Sequence, residues 1–145
     1  MNSTKKVNDL PGNSPQLVTG EIRTKAKYML KLFVHQLEGA GVNGAVITTI
    51  DGFEVAAIAM SEEEGNKLSA MSSSISAIGE MAVAEANAGT HYQSITIESD
   101  SGYIFIVNIR YPGCPMLLSV VASKEAMLGK LIYYAKHVVE KMCEI

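Results

Sequence analysis

Much of what would announce a chemistry is missing from this sequence. It holds two cysteines, Cys114 and Cys143, and neither belongs to a CxxC pair. Redox chemistry therefore has no framework, and free thiols in a reducing compartment are expected. The N-terminus reads MNSTKKVNDLPGNSPQ, with no apolar stretch fit for a signal peptide. No apolar run approaches the ~20 residues of a membrane span. The expectation is a cytoplasmic protein without a transmembrane segment. Basic residues are also short: 12 Lys and Arg stand against 15 Asp and Glu, a net charge of −3. A nucleic-acid binder usually leaves a basic footprint, so that class is disfavoured.

Catalytic groupings are equally sparse. His35, His91 and His137 are scattered, with no neighbour at ligand or base spacing. His137 and Cys143 could approach each other on one helix, but two groups make a poor zinc site. Ser72-Ser73-Ser74 lies in no nucleophile elbow, and Gly52, Gly65 and Gly79 form no phosphate loop. Asp51 and Glu54 suit a turn and a strand end; Glu62 to Glu64 suit helix capping. No converging polar groups mark a ligand pocket. The expectation is a binding module with no enzymatic activity, metal or cofactor.

What is present is a good core. Apolar residues make up 48% of the chain and charged residues 19%, enough for one folded domain over 19–145 after a flexible tail at 1–18. Charge is unevenly placed: residues 39–123 carry nine acids against Lys67 and Arg110, while the two ends together carry a net +4. Such polarity suits one acidic and one basic surface, or simply charges solvating whichever helix faces outward.

Thr19 or Gly20 opens a first helix, with Ile22, Ala26, Met29, Leu30, Phe33 and Leu37 at helical spacing. Gly39 and Gly41 end it. Apolar runs at 45–50 and 53–60 flank Asp51-Gly52, a strong hairpin signal. Ser61 and Glu64 have the spacing of a capping box that starts a helix over about 62–87. Strands are expected at 91–98, 103–109 and 116–122, and a last helix capped by Ser123 carries a stripe of Leu128, Leu131, Ile132, Ala135, Val138, Val139 and Met142. The order is helix, two strands, helix, three strands, helix. It predicts a three-layer α-β-α sandwich on a five-stranded, mainly antiparallel sheet.

The second helix, LSAMSSSISAIGEMAVAEANAG at 68–89, is filled with small residues. On a helical wheel Leu68, Met71, Ile75, Ile78 and Ala82 form the expected core stripe. Asn66, Ser73, Glu80 and Asn87 form a wet stripe. Ala70, Ser74, Ala77, Met81, Ala84 and Ala88 form a third seam at a helix-pairing period. That seam either lets the helix lie close to its own sheet or lets two copies of the helix meet. The strand at 91–98 alternates, with Tyr92, Ser94 and Thr96 on one side and Ile95 and Ile97 on the other. At an edge it would invite a twin, and a two-fold axis would then bring two helices together.

The element order, GVNGAVITTIDGFEVAA before the long helix, and MLLSVVASKEAMLGKLIYYAKHVVEKM at the end resemble the Roadblock/dynein light chain domain over roughly residues 20–143. The most specific matches are Gly44, Asp51-Gly52 and Gly129. The resemblance implies a profilin-like α/β sandwich with one helix on one sheet face and the terminal helices on the other. It implies no catalytic residues and no cofactor. It further implies a homodimer through the middle strand and second helix, here Ala70, Ser74, Ala77, Met81, Ala84, Tyr92, Ser94 and Thr96. The implied function is a scaffold or regulator of a Ras-like small GTPase, similar to bacterial gliding-motility regulators, or a dynein-type light-chain adaptor. Asn66, Lys67, Ser73 and Glu80, the outward side of the paired helices, are the expected GTPase contacts. A small-molecule sensor of a related sandwich fold is the competing expectation.

Overall fold

A computed structural model describes residues 18–37 and 41–144. All of the tail expected at 1–18 except Val18, and the helix stop at Gly39, lie outside the described residues. The elements are α1 (Gly20–Gln36), β1 (Val42–Thr49), β2 (Glu54–Ile58), α2 (Glu62–Glu85), β3 (Ser94–Glu98), β4 (Gly102–Ile109), β5 (Met116–Ser123) and α3 (Leu128–Cys143). They follow the predicted order. The five strands form one sheet in the spatial order β2-β1-β5-β4-β3, with every pairing antiparallel.

Local chemistry starts the helices. The Thr19 hydroxyl accepts from the Ile22 amide at 3.2 Å, which opens α1. At α2 the Ser61 hydroxyl accepts from the Glu64 amide at 3.1 Å, and the Glu64 carboxylate accepts from the Ser61 amide at 2.9 Å. This reciprocal box satisfies two amides that the helix itself cannot. Ser123 does not cap α3. It ends β5, and α3 begins after Met127 with no side-chain cap. Gly44 lies inside β1 rather than before it. The β1–β2 turn closes with the Gly52 amide on the Thr49 carbonyl at 3.0 Å, and only Gly52 takes a positive φ there, +99°. Glycine carries that conformation without a Cβ penalty.

The sheet has two unlike faces. Ala45, Ile47, Phe105, Val107, Leu118 and Val120 join a cluster with Leu30 and Phe33 of α1 and Leu131 and Val138 of α3. Val46, Ile106, Leu117 and Ser119, on the alternate positions, are buried on the other face, where α2 lies. This is the three-layer sandwich that the sequence implied.

The layers also divide the charge. The α1 and α3 segments hold seven Lys and Arg against Glu21 and Glu140, whereas α2 holds five Glu against Lys67. The sheet's edges differ too. β2 is crossed by α1, whose Arg23 guanidinium donates to the Val55 carbonyl at 2.9 Å. β3 pairs only with β4, and its main chain is otherwise unpaired by any other strand. Both thiols are free; Cys114 is buried and Cys143 half-buried. Burial holds the Cys114 thiol above its ordinary range, so it is a poor nucleophile.

Candidate interaction surface

The surface is built on α2. Toward the sheet this helix presents Gly65, Leu68, Ser69, Ser72 and Ser76, the buried positions among its 24 residues. Three of the five are serines. The Ser119 hydroxyl of β5 donates to Ser72 Oγ at 2.7 Å, and Ser76 Oγ shares a 2.7 Å hydrogen bond with the Tyr92 hydroxyl. Tyr92 also donates to Asn108 Oδ1 at 3.3 Å. Burial, opposed by the Ser76 bond, raises the Tyr92 pKa, so the phenol stays neutral. Ser73 donates to the Ile50 carbonyl at 2.7 Å and ties α2 to the β1–β2 turn.

The expected core stripe is therefore corrected. Leu68 is buried, but Met71 and Ile78 are 54% and 62% exposed, Ala82 is exposed and Ile75 only half-buried; Met81 of the third seam is 62% exposed as well. A wheel assigns the apolar stripe inward because burial of apolar area is the usual driving force. Here Ser72 and Ser76 are satisfied by Ser119 and Tyr92, while the buried Ser69 hydroxyl has no partner among the described residues, and the small polar stripe goes inward instead. It brings the helix close: a Cβ on Gly79 would sit 2.7 Å from Ile95 Cδ1 of β3, and one on Gly65 would collide with the Glu54 carboxylate. The small residues that let α2 approach its own sheet are thus 65, 69, 72, 76 and 79, not the Ala70–Ala88 seam.

That seam faces outward. Ala70, Ser74, Ala77, Met81 and Ala84 are all exposed on the protomer. Ser94 and Thr96 are exposed on β3. Tyr92 is the exception among the expected contacts: it precedes the strand, and its ring is buried on the α2 face. Ser94 and Thr96 pair with Val107 and Phe105, whose side chains belong to the α1–α3 core, so they point to the opposite face from Tyr92. Ile95 and Ile97 share the α2 face of the sheet, and Ile97 is 39% exposed.

The four residues expected to meet a GTPase are spread along α2 rather than gathered. Asn66 and Lys67 are exposed in its second turn, with Lys67 in an exposed pair with Glu63 at 3.5 Å. Ser73 is half-buried on the turn. Glu80, further along, contacts His91 Nδ1 at 3.0 Å. The wheel missed Met71, Ile78 and Ile97 as surface residues, and Ile50 and Phe53, exposed at the hairpin tip. The signal was present in the i, i+3, i+7 spacing of Ser69, Ser72 and Ser76, an uncharged hydroxyl stripe next to strands that carry Ser119 and Asn108.

Among the described residues no group of three or more His, Cys, Asp or Glu could hold a metal ion, and no helix is long and apolar enough to cross a membrane. The features of this surface are an outward apolar helix face and an open strand edge, and the comparisons with known proteins agree with the fold that produces them. The sequence model of the Roadblock/LC7 domain matches residues 29–111. The chain belongs to the Roadblock/LC7 domain family.

Solved Roadblock structures share its architecture. A Roadblock/LC7 domain from Streptomyces avermitilis superimposes with a TM-score of 0.72 at 20% identity, covering 79% of this chain and 92% of that one. The gliding protein MglB of Thermus thermophilus gives 0.73 at 18% identity, covering 90% and 95%. Acanthamoeba castellanii profilin IA gives 0.52 at 18% identity, covering 81% and 95%, which places the Roadblock domain in a profilin-like fold. A search of curated proteins by sequence finds no match.

Proposed function

We propose that this Roadblock domain is a homodimeric, non-catalytic adaptor that binds and regulates a Ras-like small GTPase in the cytoplasm. The observation that carries the reading is the outward apolar side of α2, with Met71, Ile78 and Met81 exposed, on a helix that reaches the open-edged strand β3 where Gly79 packs on Ile95. Large exposed apolar side chains grouped on one face mark a protein contact, and an open edge strand is a template for pairing. A two-fold axis along β3 joins two sheets into one and sets two α2 helices together across Ala70, Ser74, Ala77 and Ala84. The acidic outer side of α2, with Glu80 and Asn66 among its residues, then offers a partner a negative surface with an apolar border. Similarity to the MglB gliding proteins, one of them described in a tetrameric arrangement, supports self-association.

Sedimentation equilibrium tests the dimer: the expected mass is twice the 15.5 kDa chain. Ala77→Arg places a long charged side chain in the small-residue seam and is expected to give a monomer with unchanged circular dichroism. A monomer already in the wild-type protein at micromolar concentration overturns this part of the reading. GTP hydrolysis by a Ras-like GTPase from the same genome, measured with and without the adaptor, tests the client. No binding and no change in rate overturn that part.

A further inference from the structure

Where α3 passes over the end of β4, with Tyr92 and Gln93 just before β3 also in the lining, lies a cleft of about 520 Å³. Arg110, at the end of β4, lines it together with Lys136 and His137 of α3. Arg110 is one of only two cationic side chains in the whole span 39–123. Its meeting with Lys136 and His137 brings nitrogen donors from distant parts of the chain into one concavity. None of the three makes an ion pair or a side-chain hydrogen bond among the described residues, and the one carboxylate in the lining, Glu140, is paired with none of them. Two exposed cations, Arg110 and Lys136, facing one concavity repel each other, and an anion seated between them relieves that repulsion.

The rest of the lining fits a small molecule better than a flat surface. Val107 and Val139 supply apolar wall, Tyr133 exposes two-thirds of its surface at the rim, and Asn108 and Gln93 offer amide groups. A few polar groups on an apolar cleft of this size are what small-ligand sites contain. The surrounding α1–α3 layer is basic, which raises the local concentration of anions. The guanidinium fork of Arg and the point charge of Lys are the two side chains best suited to phosphate oxygens.

We propose that the cleft between α3 and β4 binds a small organic phosphate, with Arg110 and Lys136 on the phosphate group and Tyr133 against the body of the ligand. The cleft borders the β3 end of that surface through Tyr92 and Gln93, but its phosphate-binding groups, Arg110 and Lys136, belong to neither α2 nor β3, so phosphate binding and self-association are tested apart. The test is an amide NMR titration of the full chain with adenosine monophosphate and, as a probe without an aromatic body, glucose 6-phosphate. Saturable shifts are expected at Asn108, Arg110 and residues 133–140. Arg110→Gln and Lys136→Gln, both at exposed positions and expected to unfold at the wild-type temperature, should each weaken binding by roughly tenfold or more. No saturable shift with either probe at millimolar concentration, shifts centred elsewhere, or shifts unaffected by both substitutions overturn the proposal.

Discussion

On one face of the sheet Phe33, Leu30 and Leu131 press into Phe105, Leu118 and Val120; on the other, Ser72 and Ser76 reach Ser119 and Tyr92 through hydroxyls. The first contact is apolar, non-directional and made by two helices. The second is made by one helix whose buried positions include a single leucine. Apolar area normally decides which side of a helix goes inward. On α2 it does not, because the Ser72 and Ser76 hydroxyls find partners and Gly65 and Gly79 allow close approach. The apolar residues that α2 carries are left for something outside the protomer. The difference teaches that a helix can be held by polar contacts on one side so that its sticky side remains available.

The largest expected effect lies on the apolar face. Phe33→Ala should cost about 3–5 kcal/mol in urea unfolding, the usual range for emptying an aromatic site in a packed core. A loss below about 1 kcal/mol would erase the contrast between the faces. On the serine face, Ser119→Ala leaves Ser72 buried with its partner gone and should cost about 1–3 kcal/mol. The double variant Ser72→Ala/Ser119→Ala should recover most of that loss, because removing both polar groups leaves none stranded. An additive double variant would show that the pair is not coupled.

Ser61→Ala removes one half of the capping box and should cost about 1 kcal/mol. It should also change the acid response. The Ser61 contacts hold the Glu64 carboxyl below its ordinary value of 4.5. A depressed carboxylate stabilises the fold above its unfolded pKa, and the contribution is lost as pH falls from about there through the folded value. The Ser61 backbone amide, the larger cause, remains in the variant, and only the lesser hydroxyl contribution is lost, so the variant should lose slightly less stability than the wild type over that acid window. A greater acid loss in the variant would contradict this.

The smallest effect on folding is expected at the outer face. Ile78→Gln, placed in the monomeric Ala77→Arg background, should change thermal stability by no more than about 0.5 kcal/mol, since the side chain is already in solvent. In the wild-type background the same change should weaken self-association. An effect on the monomer as large as that of Ser119→Ala would return Ile78 to the core.

Most of the fold was legible because its signals are local. Ser61 and Glu64 announce the start of α2, Asp51-Gly52 announces the turn, and the Leu131–Met142 stripe of α3 points where a stripe should. The helix wheel of α2 misread its inward side, since Met71 and Ile78 look like core to any rule that ranks side chains by hydrophobicity. Their exposure follows from Ser119 and Tyr92, which sit 47 and 16 residues away from the serines they bond. Tyr92 was placed with Ser94 and Thr96 by alternation, but the strand begins only at Ser94, so alternation had no hold on it. The cleft at Arg110 was invisible for the same reason: its two sides are joined only when α3 folds back over β4.

The bond from Arg23 to the Val55 carbonyl bears on how far association can go. A sheet receptive at both borders can add copies one after another and has no natural end, which is how filaments grow. Here the β2 border is crossed by a side chain of α1, while the β3 border is bare of any other strand. A unit with one free border can join once and is then used up. On the proposed pairing through β3, assembly through this sheet would count to two and stop, because the β2 border is already engaged by Arg23.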